Sequence, residues 1–393
     1  MNLQKRMPAK VTLAISTRWA VRFALLAVVL LAACTNEPPP VPPAKLVSTT
    51  SEISPLRLWS SNVGEAGRGR FEPKLTDDSV IVANRSGKVT SLSRDSGIRQ
   101  WTRELKVRLT SGIGGDAGQV YVGDIDGVLH ALDEKSGDTL WTARGSSEIL
   151  VPASAGFGAL IVRSTDGRVV SLDPTTGEQL WTVSNTPPAL TLNGYSRPLI
   201  LDGGVLIGLD DGRLLALNLK TGKPIWESVI SVPSGRSEIE RLVDIDADIV
   251  IDDSGIYLAN YQGKAAMVEP AKGQIVWSVP LSAGSGVGVT AESLIVVDDE
   301  DTVHRLDKTN GLIIWSNSEM PGRRLSPPSF TPDADVVVGD TEGYIHVLDI
   351  DTGSVIGRKR VSDEAITARP VATDDAMFVQ SIDGIVAAFR FAR

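Results

Sequence analysis

The chain has 393 residues, with 39 Lys and Arg, 48 Asp and Glu, three His and one Cys. One cysteine cannot form an internal disulfide, and one cysteine with three histidines cannot supply a zinc-finger set or an iron–sulfur cluster. A hydrophobic fraction of 42% is typical of a globular chain. The net charge of −9 argues against nucleic acid as a partner, because nucleic-acid binding depends on neutralising phosphates.

The first 33 residues have the pattern of a secretory signal. Five basic residues and no acidic residue lie in residues 1–22, and the nine apolar residues at 23–31 are too few to span a bilayer. The next segment, Leu31-Ala-Ala-Cys34, resembles the bacterial lipobox, in which the cysteine thiol receives diacylglycerol and becomes the new N-terminus. The alternative is an incidental cysteine beside an ordinary signal peptide. We predict a signal peptide at 1–33 and lipidation of Cys34.

Residues 34–55 are predicted to be a tether. Removal of residues 1–33 leaves 34 basic and 48 acidic residues, a net charge of −14. Thr35 follows the cysteine, which resembles the pattern sorted to the outer membrane of Gram-negative bacteria. The proline-rich run at 38–43 favours an extended conformation of about 3 Å per residue. We expect an acidic, soluble body that faces the periplasm and is attached to the outer membrane by its lipid.

The rest of the chain is a repeat of about 40 residues. A typical copy has a glycine, a short apolar run, a second glycine and a tryptophan, as in copy two with Gly127, Gly137 and Trp141; copy six has Asp301 in place of the first glycine. Asp-Gly pairs next to alternating apolar runs are typical of hairpins between short strands. Four short strands per period are the signature of a propeller blade.

The two ends of the repeat region predict how the ring closes. The last copy begins at Gly384 and stops at Arg393, before its second glycine and its tryptophan. The segment Leu56-Arg-Leu-Trp59 lies 42 residues before Trp101, where the final strand of a preceding copy belongs. The N-terminal strand therefore completes the C-terminal blade. We predict an all-β fold at 56–393, an eight-bladed β-propeller of four-stranded antiparallel blades.

Seven of the eight tryptophans occupy one position of the repeat. Side chains at a single register lie around the ring and do not converge on one ligand. We therefore predict structural docking between blades in place of stacking platforms for a sugar or a base. The seven residues are Trp59, Trp101, Trp141, Trp181, Trp226, Trp277 and Trp315.

The histidines and acidic residues do not predict a metal site. His130, His304 and His346 occupy equivalent positions on three blades and are interpreted as structural or solvent-facing. The acidic run at 298–301 lacks the spacing of a calcium loop. The sequence also lacks a nucleophile elbow, a Walker A motif, HExxH and a pair of catalytic carboxylates. We predict no enzyme activity, no catalytic residue, no metal and no cofactor.

These motifs carry a family resemblance. The segment from Ala131 to Trp141 resembles the tryptophan-docking motif of quinoprotein-type eight-bladed propellers. The segments 237–246 and 338–346, together with the lipobox, resemble the BamB family, lipoproteins of the outer-membrane β-barrel assembly (BAM) machinery. The resemblance covers residues 20–393. It implies a non-enzymatic scaffold that binds the POTRA domains of BamA and assists outer membrane protein folding and insertion, with unfolded clients as further partners.

Two enlarged loops predict the partner-binding surface. The tryptophan spacing of 40 residues in early copies rises to 45 and then to 51, and the additional residues lie at 185–193 and 229–244. Both loops follow neighbouring blades on one face, and they combine apolar anchors with charges as interfaces do. The alternative is that they only cover the end of the propeller. The resemblance implies partner binding by Leu190, Leu192, Asn193, Arg241, Asp244 and Asp246, and Asn193 stands where family members can carry a basic residue.

Two alternative functions stay open at this point. A dehydrogenase that uses pyrroloquinoline quinone would share the propeller and the tryptophan motif. Such enzymes usually need adjacent cysteines, calcium ligands and a catalytic Asp in long central loops, whereas this chain has one cysteine and short blades. A periplasmic propeller that binds glycans is the second alternative, and the sequence does not exclude it.

Overall fold

Glycine turns divide the apolar runs of this chain into short β-strands. The computed structural model describes residues 41–49, 52–67, 69, 71–192 and 196–392. These residues contain 32 strands and no α-helix. No helix suited to crossing a membrane is present in the described part of the chain. Cys34, Asn193 and the predicted signal peptide lie outside it.

The strands form eight antiparallel sheets of four, which are the blades of the ring. The first strand, β1 (Ser54–Asn62), belongs to the last blade. Blades 1 to 4 consist of consecutive strands: β2 (Lys74–Leu75), β3 (Ser79–Ala83), β4 (Lys88–Ser93) and β5 (Arg99–Glu104); β6 (Gly114–Asp116), β7 (Gln119–Gly123), β8 (Val128–Asp133) and β9 (Thr139–Arg144); β10 (Ser154–Gly156), β11 (Ala159–Arg163), β12 (Arg168–Leu172) and β13 (Gln179–Ser184); β14 (Leu199–Leu201), β15 (Gly204–Gly208), β16 (Arg213–Asn218) and β17 (Pro224–Val229).

Blades 5 to 7 continue the same order, and blade 8 takes its fourth strand from the start of the chain. The strands of these four blades are β18 (Val250–Asp252), β19 (Gly255–Ala259), β20 (Lys264–Val268) and β21 (Ile275–Pro280); β22 (Gly286–Val289), β23 (Ser293–Val297), β24 (Val303–Asp307) and β25 (Ile313–Asn317); β26 (Ser329–Phe330), β27 (Val336–Gly339), β28 (Tyr344–Leu348) and β29 (Val355–Arg360); β30 (Val371–Ala372), β31 (Met377–Gln380) and β32 (Ile385–Ala392), followed by β1.

Strand β1 closes the ring by pairing with β32. The antiparallel register runs from Ser54 opposite Ala392 to Asn62 opposite Ile385. The chain end therefore has no free position for a fourth strand of its own, because the N-terminal strand fills it. This pairing confirms the predicted all-β, eight-bladed propeller and its closure.

The core of the ring lies between neighbouring blades. The first strands of adjacent blades contact each other and surround the axis, whereas the fourth strands lie at the rim and are the most exposed. The second strand of each blade is covered on both faces, so its sequence is a continuous apolar run and does not alternate. In β11, all five residues are buried. Packing between blades, for example of Ile161 against Val205 and Ile207, joins the sheets.

The seven rim tryptophans connect each blade to the next. In every case the indole Nε1–H donates a hydrogen bond to a backbone carbonyl of the following blade, over 2.8 to 3.0 Å. The ring also lies against the second glycine of that blade. A Cβ on Gly177 would be 2.5 Å from Cε3 of Trp141, and the φ of Gly177 is +74°. This glycine is therefore required both by its turn and by the tryptophan beside it.

Blade 7 has Gly357 where the repeat predicts a tryptophan, and the N-terminal segment accounts for the difference. A Cβ on Gly357 would be 2.5 Å from the carbonyl oxygen of Ile53. The Ile53 N–H donates to the Ile356 carbonyl over 3.2 Å, and the Ile53 side chain is buried in the core of blades 7 and 8. Blade 8 ends before the turn on which a tryptophan would dock, so the isoleucine fills the space instead.

Residues 42–49 of the predicted tether are bound to blades 6 and 7. The Ala44 N–H donates to the Pro321 carbonyl over 2.9 Å, and Arg323 Nε donates to the Ala44 carbonyl over 3.0 Å. Arg358 donates from Nη2 to the Val47 carbonyl over 2.9 Å. This part of the segment is therefore not the free spacer that its proline content suggested.

The three histidines each form a local pair within their own blade. Nε2 of each ring lies 2.7 to 2.9 Å from a carboxylate six residues earlier in the same hairpin: His130 with Asp124, His304 with Asp298 and His346 with Asp340. Burial lowers the pKa of His346, so its ring is neutral at neutral pH. Within the described residues there is no cluster of three or more His, Cys, Asp or Glu side chains placed to hold a metal.

Candidate functional site

The two faces of the ring differ in the kind of loop they carry. The loops that enter each blade hydrogen-bond to the turn between the second and third strands, as in the Ile125 N–H bond to the Arg108 carbonyl over 3.0 Å. These loops and turns therefore share one face, which we call the loop face. The enlarged loops belong to it: one joins β13 to β14 (residues 185–198), and the other joins β17 to β18 (residues 230–249).

The structure brings the two enlarged loops together. The Leu192 N–H donates to Oδ2 of Asp244 over 2.6 Å, and the Arg197 N–H donates to Oδ1 of Asp248 over 3.0 Å. Each bond joins a backbone group of the first loop to a carboxylate of the second. The loops of blades 3 to 5 thus form one surface, which we call the double-loop surface.

Asp244 and Asp246 support this surface from below. Both side chains are buried, with 0% and 4% of the residue exposed. Burial, reinforced by the neighbouring charge of Asp246, raises the pKa of Asp244 to about 7. The sequence suggested that both acids present charge at the rim of an interface. Their burial gives them a different position, and Asp244 fixes the backbone of the first loop through its bond to Leu192.

The exposed part of the double-loop surface combines apolar side chains with polar and charged ones. Leu190 is 41% exposed, Leu192 is half-buried, and Arg241 is paired with Glu238. Two further residues were missed by the sequence analysis: Val232 is 71% exposed and Ile239 is 64% exposed. Exposed apolar side chains on structured loops are typical of the anchors of protein interfaces.

A capping box positions Ile239. Oε2 of Glu240 accepts hydrogen bonds from the N–H groups of Arg236 and Ser237, and the Glu240 N–H donates to Oγ of Ser237 over 3.2 Å. A serine followed by a glutamate three residues later is the sequence signal for this motif. The turn that it stabilises holds Ile239 on the outside, and that signal was present in the sequence.

A depression of about 550 Å³ adjoins the double-loop surface on the loop face. Leu192 and Asp246 line its edge on the side of blades 3 to 5, and Tyr261, Arg324 and Pro327 line the side of blades 5 to 7. Two of the predicted residues, Leu192 and Asp246, therefore lie where the loops meet a concave area. The combination suits a partner of protein size that covers both.

Side chains cross the axis of the ring. Arg197, which precedes the first strand of blade 4, forms an ion pair of 2.6 Å with Glu72, which precedes the first strand of blade 1. Arg369 of blade 8 donates to the Val287 carbonyl of blade 6 over 3.1 Å. Blades 1 and 4 are not neighbours, so the first pair spans the channel. A quinone-sized ligand on the axis would have to displace it.

Comparison with known proteins identifies the family of this chain. A family profile described as outer membrane protein assembly factor BamB matches residues 85–317. A protein of that name from Pseudomonas aeruginosa is 40% identical over 368 residues, covering 93% of this chain and 96% of the relative.

Solved structures give the same relationship. BamB from Moraxella catarrhalis matches with a TM-score of 0.79 and 28% identity, over 86% of this chain and 99% of that chain. A quinohemoprotein alcohol dehydrogenase from Comamonas testosteroni matches with a TM-score of 0.70 but 14% identity, over 87% of this chain and 77% of that chain, which is a likeness of fold alone. The resemblance inferred from the repeat and the two motif segments is confirmed, and the chain belongs to the BamB family of outer membrane protein assembly factors.

Proposed function

We propose that this protein is a non-enzymatic scaffold of the BAM complex, which assists the folding and insertion of outer membrane proteins. A lipid on Cys34 would hold it in the outer membrane with the propeller facing the periplasm. Confinement to the membrane raises its effective concentration near a membrane-embedded partner. The observation that carries the proposal is the double-loop surface, where Leu190, Val232 and Ile239 are exposed on a rigid frame.

The partner of the double-loop surface is proposed to be the POTRA domains of BamA. Exposed apolar anchors supply the affinity, and Arg241 with Glu238 supplies polar contacts at the edge. Asp244 acts through Leu192, whose backbone it holds. Asp246 lines the adjoining depression. Asn193 follows Leu192 in the sequence, and its contribution is proposed from the family resemblance alone.

Unfolded outer membrane proteins are proposed as transient further partners. The rim strand of every blade has one unpaired edge, which can pair with an extended segment of another chain. The dehydrogenase alternative is supported only by the shared fold. The ion pair between Glu72 and Arg197 counts against it, because the pair occupies the channel on the axis of the ring. No feature of the described residues favours the glycan-binding alternative.

The proposal predicts that charge on the exposed loop tips abolishes the interaction. In the processed lipoprotein, Leu190→Glu combined with Ile239→Glu should weaken binding to the periplasmic POTRA fragment of BamA at least tenfold, about 1.4 kcal/mol or more. Each substitution places a charge in an apolar contact without disturbing the core. Isothermal titration at moderate salt measures the dissociation constant directly.

The matched control carries the same two charges elsewhere. Ile98 and Leu312 are 69% and 67% exposed on turns that precede rim strands, away from the loop face. Ile98→Glu with Leu312→Glu should bind the POTRA fragment as the unchanged protein does. Equal affinity of the loop variant and the control would show that the double-loop surface is not the binding site.

A further inference from the structure

A basic groove on blade 1 interrupts the acidic loop face. Arg85 in the turn between β3 and β4, Lys88 at the start of β4, and Lys106 and Arg108 in the loop entering blade 2 line a groove of about 760 Å³. All four residues are exposed. None of their side chains forms an ion pair or a hydrogen bond with another described residue. Four unpaired cations therefore lie together on one face of a chain whose net charge is −9.

The same turn has the opposite charge in most other blades. Blade 1 has Asn-Arg-Ser-Gly at 84–87, and the turn of blade 5 at 260–263 carries no charge. In the other six blades the turn contains at least one carboxylate. These residues are Asp124 and Asp126, Asp166, Asp210 and Asp211, the run 298–301, Asp340 and Glu342, and Asp383.

The backbone under the groove is fixed. Gly87 has a φ of +94°, and a Cβ there would be 2.4 Å from the Val107 carbonyl oxygen, so the turn and the loop are in direct contact. The Leu105 N–H donates to the Gly87 carbonyl over 2.8 Å, and Oδ1 of Asn84 accepts from the Lys88 N–H over 3.0 Å. Cations on a rigid frame lose less conformational freedom when a ligand binds.

Two carboxylates lie close to these cations. Glu65 lines the groove, and Glu104 is opposite Lys88 in the register of β4 and β5. Four cations against these two acids leave a net positive charge of two. The groove can therefore attract an anionic ligand although the whole molecule is acidic.

We propose that the basic groove binds an acidic segment of a partner polypeptide, as a second interaction surface on the loop face. The groove is on blade 1, whereas the double-loop surface follows blades 3 and 4, so the two can engage different parts of a large partner or two partners. A concave groove admits a protruding chain, whereas a bilayer would contact only its edges. Carboxylates spaced along a polypeptide can reach all four cations by charge-assisted hydrogen bonds.

The experiment uses charge reversal in the groove. The processed lipoprotein in non-ionic detergent is titrated with a fluorescein-labelled decaglutamate peptide at low and moderate salt, and anisotropy is read. Lys106→Glu with Arg108→Glu should weaken peptide binding at least tenfold, and added salt should weaken binding to the unchanged protein. The double variant Arg85→Ala with Lys88→Ala should also weaken peptide binding, by a smaller factor. A loss in this second variant would show that the effect of the charge reversal does not come from a folding defect.

The matched control has the same change in net charge. Lys220 and Lys223 are exposed on the opposite face, in the turn before β17. Lys220→Glu with Lys223→Glu should change peptide binding less than twofold. A loss equal to that of the groove variant would mean that only net charge matters, and the proposal would fail. Soluble dihexanoyl phosphatidylglycerol is the second probe; if it requires the groove while the peptide does not, the site is one for lipid headgroups and the proposal is wrong.

Discussion

At the scale of single residues, Asp244 shows how a charged residue in a surface loop can belong to the interior. In the sequence it is one of the charges of an enlarged loop predicted to bind a partner. In the folded ring it is buried, and one of its oxygens fixes Leu192 of the neighbouring loop. Burial favours the protonated form of a carboxyl group, because the ionised form loses its hydration inside the protein.

This burial predicts a pH dependence of stability. The pKa of Asp244 rises from 3.8 to about 7 on folding, so the group stabilises the fold below pH 3.8 and that contribution is lost as the pH rises towards 7. Asp244→Asn does not titrate. Its stability relative to the unchanged protein should therefore increase between pH 5 and pH 8, by at most about 3 kcal/mol, since about two pH units of this window lie below the folded pKa and each contributes about 1.4 kcal/mol.

Urea unfolding of both proteins at several pH values measures the difference. Asp95→Asn, on an exposed turn, controls for the loss of one carboxylate. A difference between Asp244→Asn and the unchanged protein that stays constant from pH 5 to pH 8 would contradict the assignment.

At the scale of elements, the tryptophan and the glycine turn of the next blade act as one unit. The indole N–H satisfies a turn carbonyl, and its ring covers a glycine that has no side chain to obstruct it. Rim strands are otherwise exposed, so this contact is what attaches the rim of one blade to the next. Blade 8 lacks this turn because the chain ends; blade 7 correspondingly has Gly357 in place of the tryptophan, and Ile53 packs there.

Alanine substitutions at two glycines distinguish the cost of backbone strain in a turn from the cost of contact with the tryptophan. Gly177 and Gly158 have φ of +74° and +76°, but a Cβ meets Trp141 only at Gly177, and nothing lies within 4 Å at Gly158. Gly158→Ala should cost about 1 kcal/mol through backbone strain alone. Gly177→Ala should cost about 1–3 kcal/mol more, because the methyl group overpacks against the indole. Equal losses in urea unfolding would show that the tryptophan contact contributes little.

At the scale of the whole molecule, the ring is joined both around its circumference and across its axis. The strand pair β1 and β32 joins the two ends of the chain, and the ion pair of Glu72 with Arg197 joins blades 1 and 4. Residues separated by 125 positions in sequence thereby restrain each other. The loop face is consequently a single frame on which the double-loop surface and the basic groove keep fixed positions.

Removing one partner of the axial pair should destabilise the ring. Arg197→Met leaves Glu72 buried without its cation, and we expect a loss of about 2–3 kcal/mol, since the guanidinium is partly exposed. Glu72→Gln added to Arg197→Met should recover most of the loss. Arg94→Met, which breaks the more exposed pair with Asp375, should cost less than about 1 kcal/mol. Thermal unfolding compares the three variants, and an equal loss in the single and double variants would contradict coupling across the axis.

Local periodicity was sufficient to predict the propeller from sequence. Apolar runs and glycine turns recur along the chain, seven of the eight blades share a tryptophan at one register, and each of these signals is set by residues close together in the chain. The number of blades and the closure followed, because the incomplete last copy and Trp59 are complementary. The enlarged loops were visible as extra residues, and the capping box that exposes Ile239 was readable as well.

Tertiary structure alone decided which of those residues are accessible. The burial of Asp244 beside Leu192, the docking of Ala44 at Pro321 and the pair across the axis all join segments that no repeat period relates. The sequence determined the strands and their order because hydrogen-bonded hairpins depend on neighbouring residues. Burial and charge pairing depend on which distant segments the closed ring brings together, and only the assembled ring fixes those contacts.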